Sequence, residues 1–366
     1  MSPNKRTGRK RDYVGVLSSV FAIVIGLLVG FVILLICNPS QALPGFVTIL
    51  TGAFTHGLKG VGQVFYYATP IILTGLSVGF AFKTGLFNIG TPGQFIVGAF
   101  AAVYVGIMWT GLGRIQWAVA LLAAILGGAL WGMVPGVLKA CFNVNEVIAS
   151  IMMNYIGMYM VNWIVKSYKP LFNNLRNESR NVAATAQIPK MGMDKLFPES
   201  SVGGGILLAI AAVLIIWVIL NKTTFGYELK AVGFNRDASR YAGINEKRNI
   251  IMSMVIAGAI AGMAGGLLYL AGTGKHIEIK DVLAAEGFTG ISVALLGLSH
   301  PIGVLFSGLF IAYLTAGGFY LQLFEFSTEI IDIIVAVIIY FSAFALIVKT
   351  ILTRMNHKRE KGGGRI

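Results

Sequence analysis

The chain has 366 residues, 56% of them hydrophobic and only 12% charged, and its mean hydropathy of +0.77 excludes an ordinary soluble globule. The formal net charge is +14, but the basic residues gather at the flanks of hydrophobic runs, where they serve topology and contact with anionic lipid. No basic patch is interleaved with aromatics for base stacking, so the expected surroundings are a lipid bilayer and nucleic acid is not an expected partner.

A basic segment, residues 1–15 with Lys5, Arg6, Arg9, Lys10 and Arg11, precedes the first hydrophobic run. A helix needs about 20 apolar residues to cross the hydrocarbon core. Runs near that length lie at 16–37, 64–82, 93–108, 115–138, 147–165, 203–220, 250–271, 301–318 and 330–348. The first is too long for a signal-peptide core and is not followed by a small-residue cleavage site, so it reads as a retained span. A tenth run, 288–298, is too short to cross alone and reads as a broken or half helix. The expected fold is an all-α polytopic membrane bundle of about ten transmembrane segments over residues 16–350, with broken helices and a weak internal repeat. A basic tail, residues 351–366 with Arg354, Lys358, Arg359, Lys361 and Arg365, closes the chain. Cations at both ends place both termini in the cytoplasm. Even parity then puts the 166–202 loop outside and the 222–249 segment on the cytoplasmic side, although the two carry equal numbers of cations.

Five stretches stand out from this apolar background. At 85–102, GLFNIGTPGQFIVGAFAA, a span ends and Gly90, Pro92 and Gly93 break the backbone before the next begins; free N–H groups at such a half-helix start, with Asn88, Thr91 and Gln94, suit contact with polar groups of a solute. A related arrangement of short apolar runs broken by Gly, Ser and Pro recurs at 286–312. Gly127, Gly128, Gly132 and Gly136, and again Gly258, Gly262, Gly265 and Gly266, have the small-residue spacing of close helix crossings. Between two oily runs, the polar segment TTFGYELKAVGFNRDASRYAGINEKRN at 223–249 reads as two short helices broken at Gly233. Asn235 caps the second, Ala238, Tyr241 and Ala242 share a face, and Gly243 stops it. Such a pair presents a shaped knob to a soluble partner.

Other chemistries find little support. The nearest approach to a P-loop, Gly272-Thr273-Gly274-Lys275-His276, lacks the upstream glycine and the hydroxyl residue. Cys37 and Cys141 are isolated, and His56, His276, His300 and His357 offer no ligand spacing, so neither disulfide nor metal is expected. Ion-coupled transport is the physical competitor, because intramembrane carboxylates mark ion pathways. Of Glu146, Glu286, Glu325, Glu329 and Asp332, however, most sit at span ends; Glu146 after Asn145 suits the first turn of a helix, and Asp332, the deepest, is one turn from a boundary, where a side chain still reaches water.

The 85–102 stretch, NEVIASIMMNYIGMYMVNWIV at 145–165 and TTFGYELKAVGFNRDASRYAGI at 223–244 together resemble the permease subunits of ABC importers. The group is that of the ribose and branched-chain amino acid permeases, and within it the subgroup for nucleosides and simple sugars. The three motifs occur in matching order over nearly the whole chain. The resemblance implies a bacterial cell-membrane complex with a second related permease, cytoplasmic ATPase subunits and an extracytoplasmic substrate-binding protein. This chain would then be no enzyme and bind no cofactor, ATP being used by the partner. It also implies that the polar segment docks on the ATPase, through Gly226, Tyr227, Glu228, Lys230, Gly233, Asn235, Ala238, Arg240, Tyr241 and Gly243. The implied substrate is a nucleoside, purine first, with simple sugars or branched-chain amino acids as alternatives. A nucleoside needs a stacking surface and hydroxyl partners, and Phe87, Asn88, Gln94, Asn154 and Tyr155 are the candidates for its path.

Overall fold

Described by a computed structural model over residues 5–326 and 328–343, the chain is a helical bundle. The expected basic tail and the end of the 330–348 run lie outside the described residues. In order come α1 (Lys5–Cys37), α2 (Ala42–Thr55), α3 (Gly57–Lys83), α4 (Thr91–Met108), α5 (Gln116–Phe142), α6 (Glu146–Ser167), α7 (Met193–Leu196), α8 (Gly205–Lys222), α9 (Thr224–Phe234), α10 (Arg236–Tyr241), α11 (Glu246–Tyr269), α12 (Ala285–Leu296), α13 (Pro301–Phe319) and α14 (Thr328–Ala343). A two-residue ladder, β1 (Phe172–Asn173) antiparallel to β2 (Glu178–Ser179), sits in the loop after α6.

Among the described residues seven helices are long and apolar enough to cross a membrane: α3, α4, α6, α8, α11 and, with their adjoining 3₁₀ turns, α5 and α13. The protein is therefore an all-α, multi-pass membrane protein, while ten crossings are not established. α12, with 12 residues, is the short element expected near 288–298. α2 was not expected from the sequence. At 14 residues it rises about 21 Å, so a search for span-length runs passes over it.

Asparagine and threonine cap α6 and the helices of the polar segment. Asn145 Oδ1 accepts from Val147 N (2.9 Å) at the start of α6, Thr223 Oγ1 from Gly226 N (3.0 Å) at α9, Asn235 Oδ1 from Ala238 N (2.9 Å) at α10 and Asn245 Oδ1 from Arg248 N (3.0 Å) at α11. Each satisfies an N–H that the helix itself cannot. Glu146 opens α6 as expected and pairs with Lys139 at 2.9 Å.

The centre is a three-helix contact of α4, α5 and α11 made through glycine. A Cβ at Gly128 would stand 2.7 Å from Gly262 Cα, one at Gly265 3.0 Å from Ala99 N, and one at Gly98 2.9 Å from Ala124 O. Around this centre α3 packs on α11, α12 and α13. At one side α1, α2 and α14 share a separate apolar cluster with the end of α13, built on Leu34, Ala42, Ile49, Leu314, Leu321, Phe326 and Ile334. The two ends of the bundle differ. One gathers Ala81, Leu86, Ala140, Val232 and Ile250 beneath the α9–α10 pair. The other is covered by residues 168–204, tied down by Ala183 N donating to Gly106 O (3.0 Å) and Ile188 N to Leu270 O (2.9 Å).

Candidate functional site

The break between α3 and α4 is built from buried amides. Asn88 Nδ2 donates to Gln94 Oε1 (2.9 Å) and Ser77 Oγ (3.2 Å), and Gln94 Nε2 returns a bond to Asn88 Oδ1 (3.0 Å). Asn154 spans the break from α6: its Oδ1 accepts from Gly93 N (2.9 Å) and its Nδ2 donates to Ile89 O (2.9 Å). One side chain thus satisfies an orphan N–H of the opening α4 turn and a carbonyl of the irregular segment before it, which is what allows non-helical backbone to exist inside an apolar bundle. Asn88, Gln94, Asn154 and Thr91 are all buried. Beside them Ser150 Oγ is buried without a hydrogen-bond partner among the described residues.

Of the five path candidates, three therefore meet and two stand apart. Phe87 stacks on Phe82 with ring centroids 5.3 Å apart. Tyr155 is exposed on the outer face of α6, in a stripe with Ile151, Met152, Ile156, Tyr159 and Trp163. Replacing Asn154 by Leu leaves a buried donor and a buried acceptor unpaired, at a cost of about 1–3 kcal/mol for each. The expected result is a lower thermal midpoint of the detergent-purified protein than that of Tyr155→Leu, read by size-exclusion after heating.

The polar segment forms two helices as expected, but the break lies at Asn235 rather than Gly233. Gly233 is helical, and its role is closeness: a Cβ there would lie 2.5 Å from Lys83 O and 2.9 Å from Thr84 C. Gly226 is likewise pressed against Leu220, with its missing Cβ 2.7 Å from Leu220 Cα. Glu228 Oε2 accepts from Asn249 Nδ2 (3.0 Å), tying α9 to α11, and Arg236 pairs with Glu246 at 2.7 Å, tying in α10. Gly243 turns the chain at φ +82°. Instead of a simple knob, α9 and α10 enclose an open groove of about 670 Å³, lined by Tyr227, Glu228, Phe234, Asn235, Ala238 and Ile244 among others. Phe234 and Tyr241 are 91% and 96% exposed, and Arg240 is exposed as well, while Lys230 is half-buried. Two nearly bare aromatic rings beside a groove are the composition of a protein-docking face.

At the opposite end lies a cavity of about 280 Å³ among α4, α6, α11, α12 and the segment joining the last two, lined by Ile96, Met158, Asn162, Tyr269, Lys275 and Glu286, with His276, Glu278, Lys280 and residues 282–285 completing it. Lys275 Nζ meets Glu286 Oε1 at 2.9 Å and stands 5.9 Å above the Tyr269 ring. Asn162 Nδ2 donates to Lys280 O (3.0 Å) and Asp281 Oδ1 (3.3 Å). Above it, the Lys280 ammonium, bonded to Glu278 at 2.8 Å, holds that carboxyl below its ordinary range. Below it, the start of α12 abuts the start of α4: a Cβ at Gly287 would lie 2.6 Å from Pro92 Cα. The sequence reading placed Glu286 at a span end and Lys275 in a failed phosphate motif; that they form one cavity required the fold.

Residues 60–343 match the family model described as the branched-chain amino acid transport system / permease component. The chain is 38% identical over 340 residues to the guanosine ABC transporter permease protein NupP of Bacillus subtilis, covering 93% of this chain and 96% of that one. It is 35% identical over 347 residues to the nucleoside ABC transporter permease protein NupB of Lactococcus lactis, covering 93% of each. It is 31% identical over 304 residues to the glucose ABC transporter permease protein TsgB13 of Haloferax volcanii, covering 81% and 78%. No solved structure matches. The family resemblance carried by the three sequence motifs is borne out over most of the chain, which belongs to the permease family of the branched-chain amino acid transport system type.

Proposed function

We propose that this chain is a membrane-spanning subunit of an ATP-driven importer for nucleosides, purine nucleosides foremost. The observation that carries the reading is similarity across more than nine-tenths of the chain to NupP and NupB, whose names specify guanosine and nucleosides. The geometry supports a division of labour. The groove and bare aromatics of α9 and α10 receive a cytoplasmic ATPase subunit, which uses ATP that this chain does not bind. Both termini and the α9–α10 end face the cytoplasm of a bacterial cell, and the end covered by residues 168–204 faces an extracytoplasmic binding protein. The exposed Tyr155 stripe of α6 faces a second, related permease, with the solute passing between the two. Asn88, Gln94 and Asn154 then line one side of that path when the break between α3 and α4 shifts, and Phe87 and Tyr155 offer rings along it. A sugar is the second reading, favoured by the likeness to TsgB13.

The test is uptake of labelled guanosine by cells making the whole transporter, with the catalytic glutamate of the ATPase intact or replaced. Uptake that vanishes with the replaced ATPase supports the reading, and uptake that persists defeats it. Asp332, the deepest carboxylate by sequence, is exposed on α14, as a residue outside any buried proton relay would be. Asp332→Asn should leave guanosine uptake within about twofold of the parent; a loss with normal assembly would favour ion coupling.

A further inference from the structure

We propose that the cavity holding Lys275 and Glu286 is where the permease reads its ligand's hydrogen-bonding edge, and that the ligand it selects is an uncharged heteroaromatic carrying a donor and an acceptor side by side, as a nucleobase does. This inference rests on the nucleoside reading and assigns residues to it.

The charge pair comes first. The Lys275 ammonium and the Glu286 carboxylate, 2.9 Å apart, offset one another, as do Lys280 and Glu278, 2.8 Å apart in the same lining, so these two pairs present no net charge to an incoming solute. The Lys275 and Glu286 side chains stay partly open, at 39% and 29% of their surface. A carboxylate has about four acceptor positions and an ammonium three donors. Their mutual bond uses one of each. What remains is an acceptor next to a donor, the complement of a base edge such as N1–H beside O6 of a 6-oxopurine.

The walls fit the same ligand. Ile96, Met158 and the Tyr269 ring supply apolar and polarisable surface for a flat π-system, and Asn162 stands at the rim. At about 280 Å³ the cavity is close to the lower end of the roughly 300–1,000 Å³ range of small-ligand sites. One compact solute fits, and an oligosaccharide or peptide does not. The position also makes occupancy consequential, because Glu286 lies in the first turn of α12, whose start touches Pro92 at the start of α4.

The competing role for the pair is a latch joining the segment after α11 to α12. A latch depends only on opposite charges. A reader depends on which element carries the acceptor.

The experiment compares uptake of guanosine with that of 1-methylguanosine, which lacks the N1–H donor, in cells making the full transporter with an unaltered binding protein. Since that protein is common to all strains, a change in the ratio belongs to the permease. Glu286→Gln is expected to reduce the preference for guanosine by about tenfold, the size of a lost charge-assisted hydrogen bond. Guanosine uptake with an unmoved ratio overturns the assignment. The exchanged pair Lys275→Glu with Glu286→Lys is expected to stay impaired; restoration of the parent rate and ratio would establish a latch and overturn it too. Should the glutamine variant not reach the membrane, the double variant Lys275→Met with Glu286→Leu, which removes both charges together with the acceptor for N1–H, is read by the same ratio, and an unmoved ratio there is equally fatal. Absence of guanosine uptake in the parent strain defeats the nucleoside reading itself, whereas parental uptake with unmoved variants defeats only the role given to these two residues.

Discussion

A Gly258→Leu substitution should prevent the protein from accumulating as a folded membrane species. Gly258 faces the Gly128 carbonyl directly, and a Cβ there would run into that oxygen and sit 3.1 Å from Gly132 Cα. The obstruction is backbone, not the end of a side chain, so no rotamer change relieves it. α5 and α11 would have to separate along their length, taking with them Gly128 against Gly262 and Gly98 against Ala124. Overpacking a tight core costs about 1–3 kcal/mol even where side chains can yield, and here none can. Loss of the monodisperse peak in detergent, with Gly203→Ala as a control whose surroundings are open, is the expected outcome. A normal peak for the leucine variant would mean that α5 and α11 do not meet as described.

The second large effect is expected at Gly233. Leucine there must push α9 away from Lys83 and Thr84, whose backbone leaves no room for a Cβ. Insertion should survive, since the bundle core lies elsewhere. Docking should not, because α9 and α10 share one groove and are tied to α11 together, by Glu228 to Asn249 and Arg236 to Glu246. We expect uptake to fall by more than about tenfold, with the ATPase absent from the purified complex and the permease present in membranes at its usual level. Asn235→Ala, which removes only a helix cap worth about 1 kcal/mol, should give a partial loss. Full ATPase recovery with Gly233→Leu would move the docking surface away from α9.

The sequence disclosed those features whose cause is local. Asn235 and Gly243 announce α10 through capping and a left-handed turn, and Gly90-Thr91-Pro92-Gly93 announces the start of α4. Glycine spacing likewise marked both α5 and α11 for close crossings, while their meeting one another is tertiary. Gly233 was misread as a break because glycine is a poor helix former; the reason for glycine is a contact with Lys83, 150 residues earlier in the numbering. α2 escaped notice because it is apolar yet shorter than a span. Of the path candidates, Asn88 and Gln94 are close in sequence, but their partnership with Asn154 is tertiary, and nothing local separates Tyr155, which points outward, from its neighbour, which points in. The Lys275–Glu286 cavity was hidden for the same reason.

The glycine contact of α4, α5 and α11 also governs where movement can occur. Helices that touch backbone to backbone have no rotamers to exchange, so sliding one past another would forfeit all of their close packing at once. These three helices should therefore travel as one rigid body through a transport cycle. Relative motion is left to contacts outside this core, and a distance label placed between α5 and α11 would report a ruler whose length does not change.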